Sequence, residues 1–180
     1  MKRRSGSEVP LLVVFGGLPG TGKTTIARKV AGRAGATYLR IDNIEQAIRS
    51  AKVLVGDIGP AGYLAAYVLA GDNLGLGQIV VADCVNPLQV TRVAWRAVAE
   101  KADVPILEIE VICSDVGEHR RRVEEREVDI PGLVPPIWTE VLAHEYEPWT
   151  AERMVVDTAR MDVLKAADRV CEEIEARRGV

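Results

Sequence analysis

The sequence predicts an α/β domain built on a mainly parallel sheet. Short β-rich runs alternate with longer helical patterns along the chain. An apolar run, a glycine-rich turn and an amphipathic helix also follow one another in VVFGGLPGTGKTTIARKV, residues 13–30. A length of 180 residues adds a third indication, since it suits one compact unit with one sizeable core. That unit is expected over residues 10–180, with residues 1–9 a disordered tail.

Leu11 to Gly16 is the first strand, and it runs into the glycine turn and a helix over 22–34. Thr37 to Ile41 gives a second strand, followed by a helix over 43–52. Pro60 can open a helix over 60–74. Within it, Tyr63 to Ala70 is apolar on every side, so this helix is expected to lie beneath something that closes over it. Gln78 to Asp83 is the third strand, and Asn86-Pro87 reads as an N-cap and first-turn proline for a helix over 87–102. Pro105 to Cys113 is the fourth strand and 115–127 the next helix. The proline-dense VDIPGLVPPIW, residues 128–138, is a loop where a mobile flap could sit before a helix over 137–147. Met154 to Val156 and a helix over 162–178 complete the chain.

Composition is ordinary for a globular protein, 48% hydrophobic and 27% charged, with no uninterrupted apolar run of the roughly 18 residues a membrane span needs. The basic start, MKRRSGSEVP, lacks the small-residue cleavage site of a signal peptide. Cys84, Cys113 and Cys171 have no metal-ligand spacing and read as buried thiols in a reducing cytoplasm. A net charge of -3 gives no global attraction to polyanions and argues against nucleic acid as a partner.

Gly17-x-x-x-x-Gly22-Lys23-Thr24 fits the P-loop pattern in full, between a strand and a helix. Such a turn aims backbone N–H groups and the positive helix end at a phosphate chain. Gly17, Leu18, Pro19, Gly20, Thr21, Gly22 and Thr25 would form the cradle, Lys23 would bridge the β- and γ-phosphates, and Thr24 would sit on Mg²⁺. ATP and Mg²⁺ are the expected cofactors. Asp83, ending a buried strand, is either the partner of the magnesium's water shell or a turn residue capping the next helix, and Asn86 carries the same alternatives. Asp42 ends the second strand on the rim where ligands of open α/β sheets bind. It can take a proton from an acceptor hydroxyl or cap the helix beginning at Asn43.

SDVGEHRRRVEERE, residues 114–127, is either a solvated helix laced with ion pairs such as Glu118–Arg122 or an anion site. Arg122 and Arg126 are four apart, a like-charge spacing that costs about 0.2–0.5 kcal/mol on a helix unless an anion lies between them. Trp138, Tyr146 and Trp149, with Tyr63 and Tyr67, either wall an acceptor pocket or fill the core. His119 and His144 have no evident carboxylate relay and read as structural, and Glu145 is a weaker candidate for holding a cationic acceptor.

Taken together, GGLPGTGKTT, an Asp at the second strand end, VVAD-x-x-N at the third, the arginine helix and a final VVDT resemble the small P-loop kinases of the adenylate-kinase-like group. That group includes chloramphenicol phosphotransferase, gluconate and shikimate kinases and the kinase domain of polynucleotide kinase. The likeness spans residues 11–175, and the chain is also similar to bacterial AAA-family ATPase-like kinases. It implies a three-layer P-loop NTPase fold, a five-stranded parallel sheet of order 2-3-1-4-5 and a small lid over about 115–147. It further implies transfer of the γ-phosphoryl group of ATP to a hydroxyl of a small molecule. Asp42 would be the acceptor-side base, Asp83 the magnesium-side acid, and Arg122 and Arg126 the lid arginines, with Arg120 and Arg121 as possible substitutes. Asp157 and Thr158, in VVDTA, either meet the adenine or serve as turn and cap residues. Where the polynucleotide branch has an arginine three residues after the acceptor-side Asp, this chain has Glu45, which suits a neutral or cationic acceptor; Arg49 is one turn further on. The alternatives are a polynucleotide or RNA end kinase and, from another class, an ATP-binding switch that serves a partner. No acidic pair ends the third strand, and there is no room for the helical domain of a ring motor.

Overall fold

The computed structural model describes residues 9–53 and 56–179. Apart from Val9, the expected N-terminal tail lies outside the described residues; the Val9 carbonyl accepts a hydrogen bond from Arg178 Nε at 2.9 Å.

In chain order the elements are β1 (Leu12–Gly16), α1 (Lys23–Ala34), β2 (Thr37–Arg40), α2 (Ile41–Ser50), α3 (Ala61–Gly75), β3 (Val80–Asp83), α4 (Gln89–Ala102), β4 (Ile106–Ile112), α5 (Val116–Glu124), α6 (Trp138–Ala143), β5 (Met154–Asp157) and α7 (Val163–Arg178). The sheet is parallel throughout, in the order β2-β3-β1-β4-β5. Every residue of central β1 is buried, because helices cover both of its faces. Val13 and Phe15 join α1 and α7 in one core, while Leu12 and Val14 join α3 and α4 in the other. A buried aliphatic side chain contributes roughly 1.5–3 kcal/mol, so a polar residue in β1 would be costly. The register aligns the strand ends that carry the site: Phe15 lies opposite Asp83 and Asp83 opposite Arg40.

Several local expectations are corrected. The arginine helix ends at Glu124, with Glu125 as its C-cap, so Arg126 lies beyond it and does not form a helical i,i+4 pair with Arg122. Helix α2 begins at Ile41, which puts Asp42 in its first turn and leaves Arg40 at the N-cap position, so Asp42 is not the cap. Asn86 does not cap α4 either. It adopts φ +49° and takes the Thr91 hydroxyl on its side-chain oxygen, while the N–H of Gln89 is met by Glu147 from 58 residues away. Helix α6 stops at Ala143, well short of 147. Finally, α3 is not covered all round: Leu64 is 57% and Val68 65% exposed, and only Gly62, Ala66, Ala70 and Leu74 are buried.

The residues expected to be buried thiols are free cysteines, with Cys84 and Cys113 buried and Cys171 half-buried. No helix among the described residues is long and apolar enough to cross a membrane.

Candidate active site

The chain leaves β1 at Gly16 and turns through residues 17–22 into α1, which opens at Lys23 with Gly22 as its N-cap. Two of these positions require glycine. A Cβ on Gly17, at φ +143°, would fall 2.3 Å from the Val111 carbonyl oxygen, and one on Gly20, at φ +84°, would fall 2.5 Å from Val123 Cγ2 of α5. The turn is therefore pressed between the end of β4 and α5. It is tied from within as well: the Thr21 hydroxyl donates to the Leu18 carbonyl at 2.9 Å.

A cavity of about 330 Å³ opens at the N-terminus of α1. Gly20, Gly22, Lys23, Thr24 and Thr25 form its floor, and Asp42, Arg122 and Arg126 stand on its walls. The structure thus brings Asp42, expected on the acceptor side, and the two expected lid arginines to one cavity with the P-loop. Arg126 reaches it from the loop and not from the helix. Arg122 is already engaged: Nε donates to Glu118 at 2.7 Å and Nη1 to the Thr158 hydroxyl at 2.8 Å. Arg120 and Arg121 do not substitute for it, since both are exposed and paired with acids of their own helix. Helix α5 is thus laced with ion pairs, as one of the two readings has it, and turns Arg122 to the cavity.

Seven other expected residues, Thr21 among them, do not line the cavity. Gly17, Leu18 and Pro19 belong to the back of the turn. Asp83 is buried and accepts the Tyr38 hydroxyl on Oδ2 at 2.7 Å. Burial, with the Asp83 charge, drives the Tyr38 phenol far above its ordinary range, so Tyr38 remains the donor. Asp157 serves its turn, accepting from the N–H of Ser114 and of Ala159, and Thr158 braces the P-loop from below by donating its hydroxyl to the Thr21 carbonyl at 2.8 Å. The turn-and-cap alternative describes these two residues.

The main participant that sequence reasoning missed is Arg40. Its side chain is 2% exposed at the end of β2, yet it lines the cavity. The guanidinium stands 3.5 Å from Asp42, 3.9 Å from Asp83 and 2.7 Å from Asp129 of the loop that follows α5. Asp129 also receives Arg28 of α1 at 2.7 Å. The hydrogen bond from Arg40, against some desolvation and helped by Arg28, holds the Asp129 carboxyl below the usual range. Strand alternation from Tyr38 places residue 40 on the same face and at the sheet's carboxyl rim, a signal the sequence does contain. His119 is structural, as expected: its Nε2 donates to the Pro19 carbonyl at 2.8 Å and its ring meets Trp138 edge-on. It links the P-loop to α6.

None of the five aromatic side chains lines the cavity, and Tyr63 and Tyr67 pack against the core on the α3–α4 side of the sheet. Tyr67 packs edge-on against Trp95, and Tyr63 accepts the Asn86 N–H. Trp149 lies over the Arg92 guanidinium at 4.1 Å and against the backbone of Gly16. Glu45 is turned from the cavity as well. Its stem packs where a Gly62 Cβ would be, it pairs with Arg49 at 3.2 Å, and desolvation raises its pKa.

Known proteins bear on this arrangement in three ways. The model of the AAA domain family AAA_33 matches residues 12–132. Over 39 residues, 22% of this chain, the sequence is 51% identical to the ATP-dependent zinc metalloprotease FtsH of Acidothermus cellulolyticus; the match spans 6% of that protein's length. Among solved structures, APE1195 is 25% identical with a TM-score of 0.69, over 94% of this chain and 96% of that one. Chaetomium thermophilum Kti12 in complex with ADP-AlF3 is 22% identical with a TM-score of 0.68, covering 92% and 98%. A gluconokinase from Sinorhizobium meliloti 1021 is 19% identical with a TM-score of 0.62, covering 94% and 98%. The chain belongs to the AAA domain family AAA_33 and carries the fold of the small P-loop kinases.

Proposed function

We propose that this protein is an ATP- and Mg²⁺-dependent phosphotransferase that acts on a hydroxyl of a small molecule. The observation that carries this reading is the placement of Asp42 on the wall of the cavity whose floor is the P-loop. A carboxylate there can orient an acceptor hydroxyl and take its proton. The donor set suits a phosphate chain: backbone N–H groups at the start of α1, the ammonium of Lys23, and the guanidinium groups of Arg122 and Arg126.

Bound ATP·Mg²⁺ would supply the γ-phosphoryl group, whose bond to the β-phosphate bridging oxygen breaks as the acceptor oxygen joins phosphorus, with ADP leaving on that electron pair. Thr24 would hold the ion, which keeps most of its other positions for phosphate and water. Asp83, with Oδ2 taken by Tyr38, would reach the water shell through its second oxygen. Lys23 and the two arginines spread the charge of the transferring group, and Asp42 accepts the hydroxyl proton. Asp157 and Thr158 would meet adenine only through backbone groups, because their side-chain polar atoms are engaged elsewhere.

The test is label transfer from γ-labelled ATP with Mg²⁺ to a mixed panel of polyols, sugars, nucleosides, aminoglycosides and 5′-hydroxyl oligonucleotides. Lys23→Ala and Asp42→Asn are each expected to lower the rate by about 10²–10⁴. Tight ATP binding with no labelled acceptor, and Asp42→Asn hydrolysing ATP as fast as the parent, would instead favour a nucleotide switch. The exposed apolar face of α3, with Leu64 and Val68, is the observation on the side of that second reading.

A further inference from the structure

Two arginines stand beside the phosphate cradle and share one carboxylate of the chain itself. Arg40 from β2 and Arg28 from α1 each reach Asp129 Oδ2 at 2.7 Å. Asp129 sits in the irregular segment between α5 and α6 with its side chain 39% exposed, so it is held by the two guanidinium groups and not by burial. Arg40 is buried, and its Nε has no hydrogen-bond partner even so. That nitrogen is turned to Asp83 Oδ2, 3.9 Å away, so an anion entering from the cavity would take the Nη1 group that Asp129 now occupies.

The same bridge separates two spaces. Arg28 and Asp129 line the phosphate cavity and also a neighbouring one of about 290 Å³, whose other walls include Asn43, Gln46 and Ser50 of α2. Those three side chains are uncharged and rich in donors and acceptors, as hydroxyl groups require. The partition is a loop residue, and Gly132 brings that loop close to Gln46: a Cβ there would lie 2.8 Å from its side-chain nitrogen. With Asp129 withdrawn, the two spaces would adjoin across Arg28 and Arg40, beside Asp42.

From this geometry we propose that the acceptor is a small hydroxylated molecule bearing a carboxylate or phosphate group, and that this anion binds Arg28 and Arg40 in place of Asp129. The inference rests on the phosphotransferase reading and sharpens it. The expectation that Glu45 selects a neutral or cationic acceptor falls, because Glu45 is paired with Arg49 and faces α3. A nucleic-acid acceptor is disfavoured on different grounds: Arg28 is the one cation among the residues lining the outer cavity, and a polynucleotide backbone needs a succession of them.

The test compares three- and six-carbon polyols with their carboxylate and phosphate counterparts, using the parent protein, Arg28→Gln and Asp129→Asn, each checked for an unchanged melting profile. A charged acceptor is expected to exceed its neutral counterpart about tenfold or more in kcat/KM, and the two charged arms tell carboxylate from phosphate. Arg28→Gln should raise the KM of that acceptor about tenfold, with a smaller change in kcat, as loss of one charge-assisted bond implies. Asp129→Asn should lower KM several-fold by removing the internal competitor. Equal use of neutral and charged polyols, preference for a 5′-hydroxyl oligonucleotide, or an Asp129→Asn variant with raised KM would overturn the inference while leaving phosphotransfer intact. If no acceptor is labelled, calorimetric titration of the same carboxylates and phosphates into ADP·Mg²⁺-saturated protein separates the two ideas. Binding weakened by Arg28→Gln and tightened by Asp129→Asn upholds the anion site without the activity, and binding that is absent or indifferent to both variants rejects it.

Discussion

At the scale of single residues, the site depends on how Arg40 is compensated. A guanidinium buried at a strand end carries a large desolvation cost, and here Asp42, Asp83 and Asp129 surround it to offset that cost. Of the three, Asp129 is the one on a loop, so its protonation should be felt as movement. Its folded-state pKa is depressed by Arg40 and Arg28, so it stabilises the closed loop above the ordinary aspartate value of about 3.9. That contribution is lost as pH falls through the lowered value. Limited proteolysis by pepsin should therefore find residues 128–137 resistant near pH 4 and increasingly nicked below it. Asp129→Asn should be nicked readily across the whole range, and equal resistance of parent and variant would mean that the bridge does not hold the loop.

At the scale of elements, Arg92 of α4 explains how the segment after α6 is fixed. It is fully buried and donates to the carbonyls of Asn86, Pro87, Glu147 and Pro148, while its face lies on Trp149. Glu147 in turn meets the N–H of Gln89 at the start of α4. The reciprocal clamp seats Trp149 against Gly16, directly beneath the P-loop entrance. Arg92→Met keeps the apolar stem and leaves four carbonyl groups to be re-solvated. It is expected to destabilise the protein by about 3 kcal/mol, read from urea denaturation, with Trp149 more accessible to a fluorescence quencher. A loss below about 1 kcal/mol would show that the clamp is dispensable.

At the scale of the whole molecule, Thr158 joins three parts that the chain keeps far apart. Its hydroxyl donates to Thr21 in the P-loop and accepts from Arg122 of α5, and its N–H donates to Ile112 at the end of β4. Thr158→Val preserves shape and removes both hydroxyl contacts. The expected loss is about 1–2 kcal/mol of stability together with weaker nucleotide binding, seen by calorimetry with ADP. Unchanged binding would uncouple β5 from the cradle. The sequence by itself determined the order of strands and helices, the P-loop and the position of Asp42 near it, because these follow from local periodicity and from a motif whose residues are contiguous. Arg122 and Arg126 were both singled out from the sequence and both line the cavity at the P-loop, although the helix that was to carry them ends between them. Only the tertiary structure decided that Arg40 is buried amid three acids, that Asp129 partitions the cavity, that Glu45 faces away, and that the aromatic side chains stay out of the cavity. Each of those outcomes depends on side chains meeting across gaps of tens of residues. Partner and direction there are set by how helices and loops pack on the sheet, and no local pattern records that.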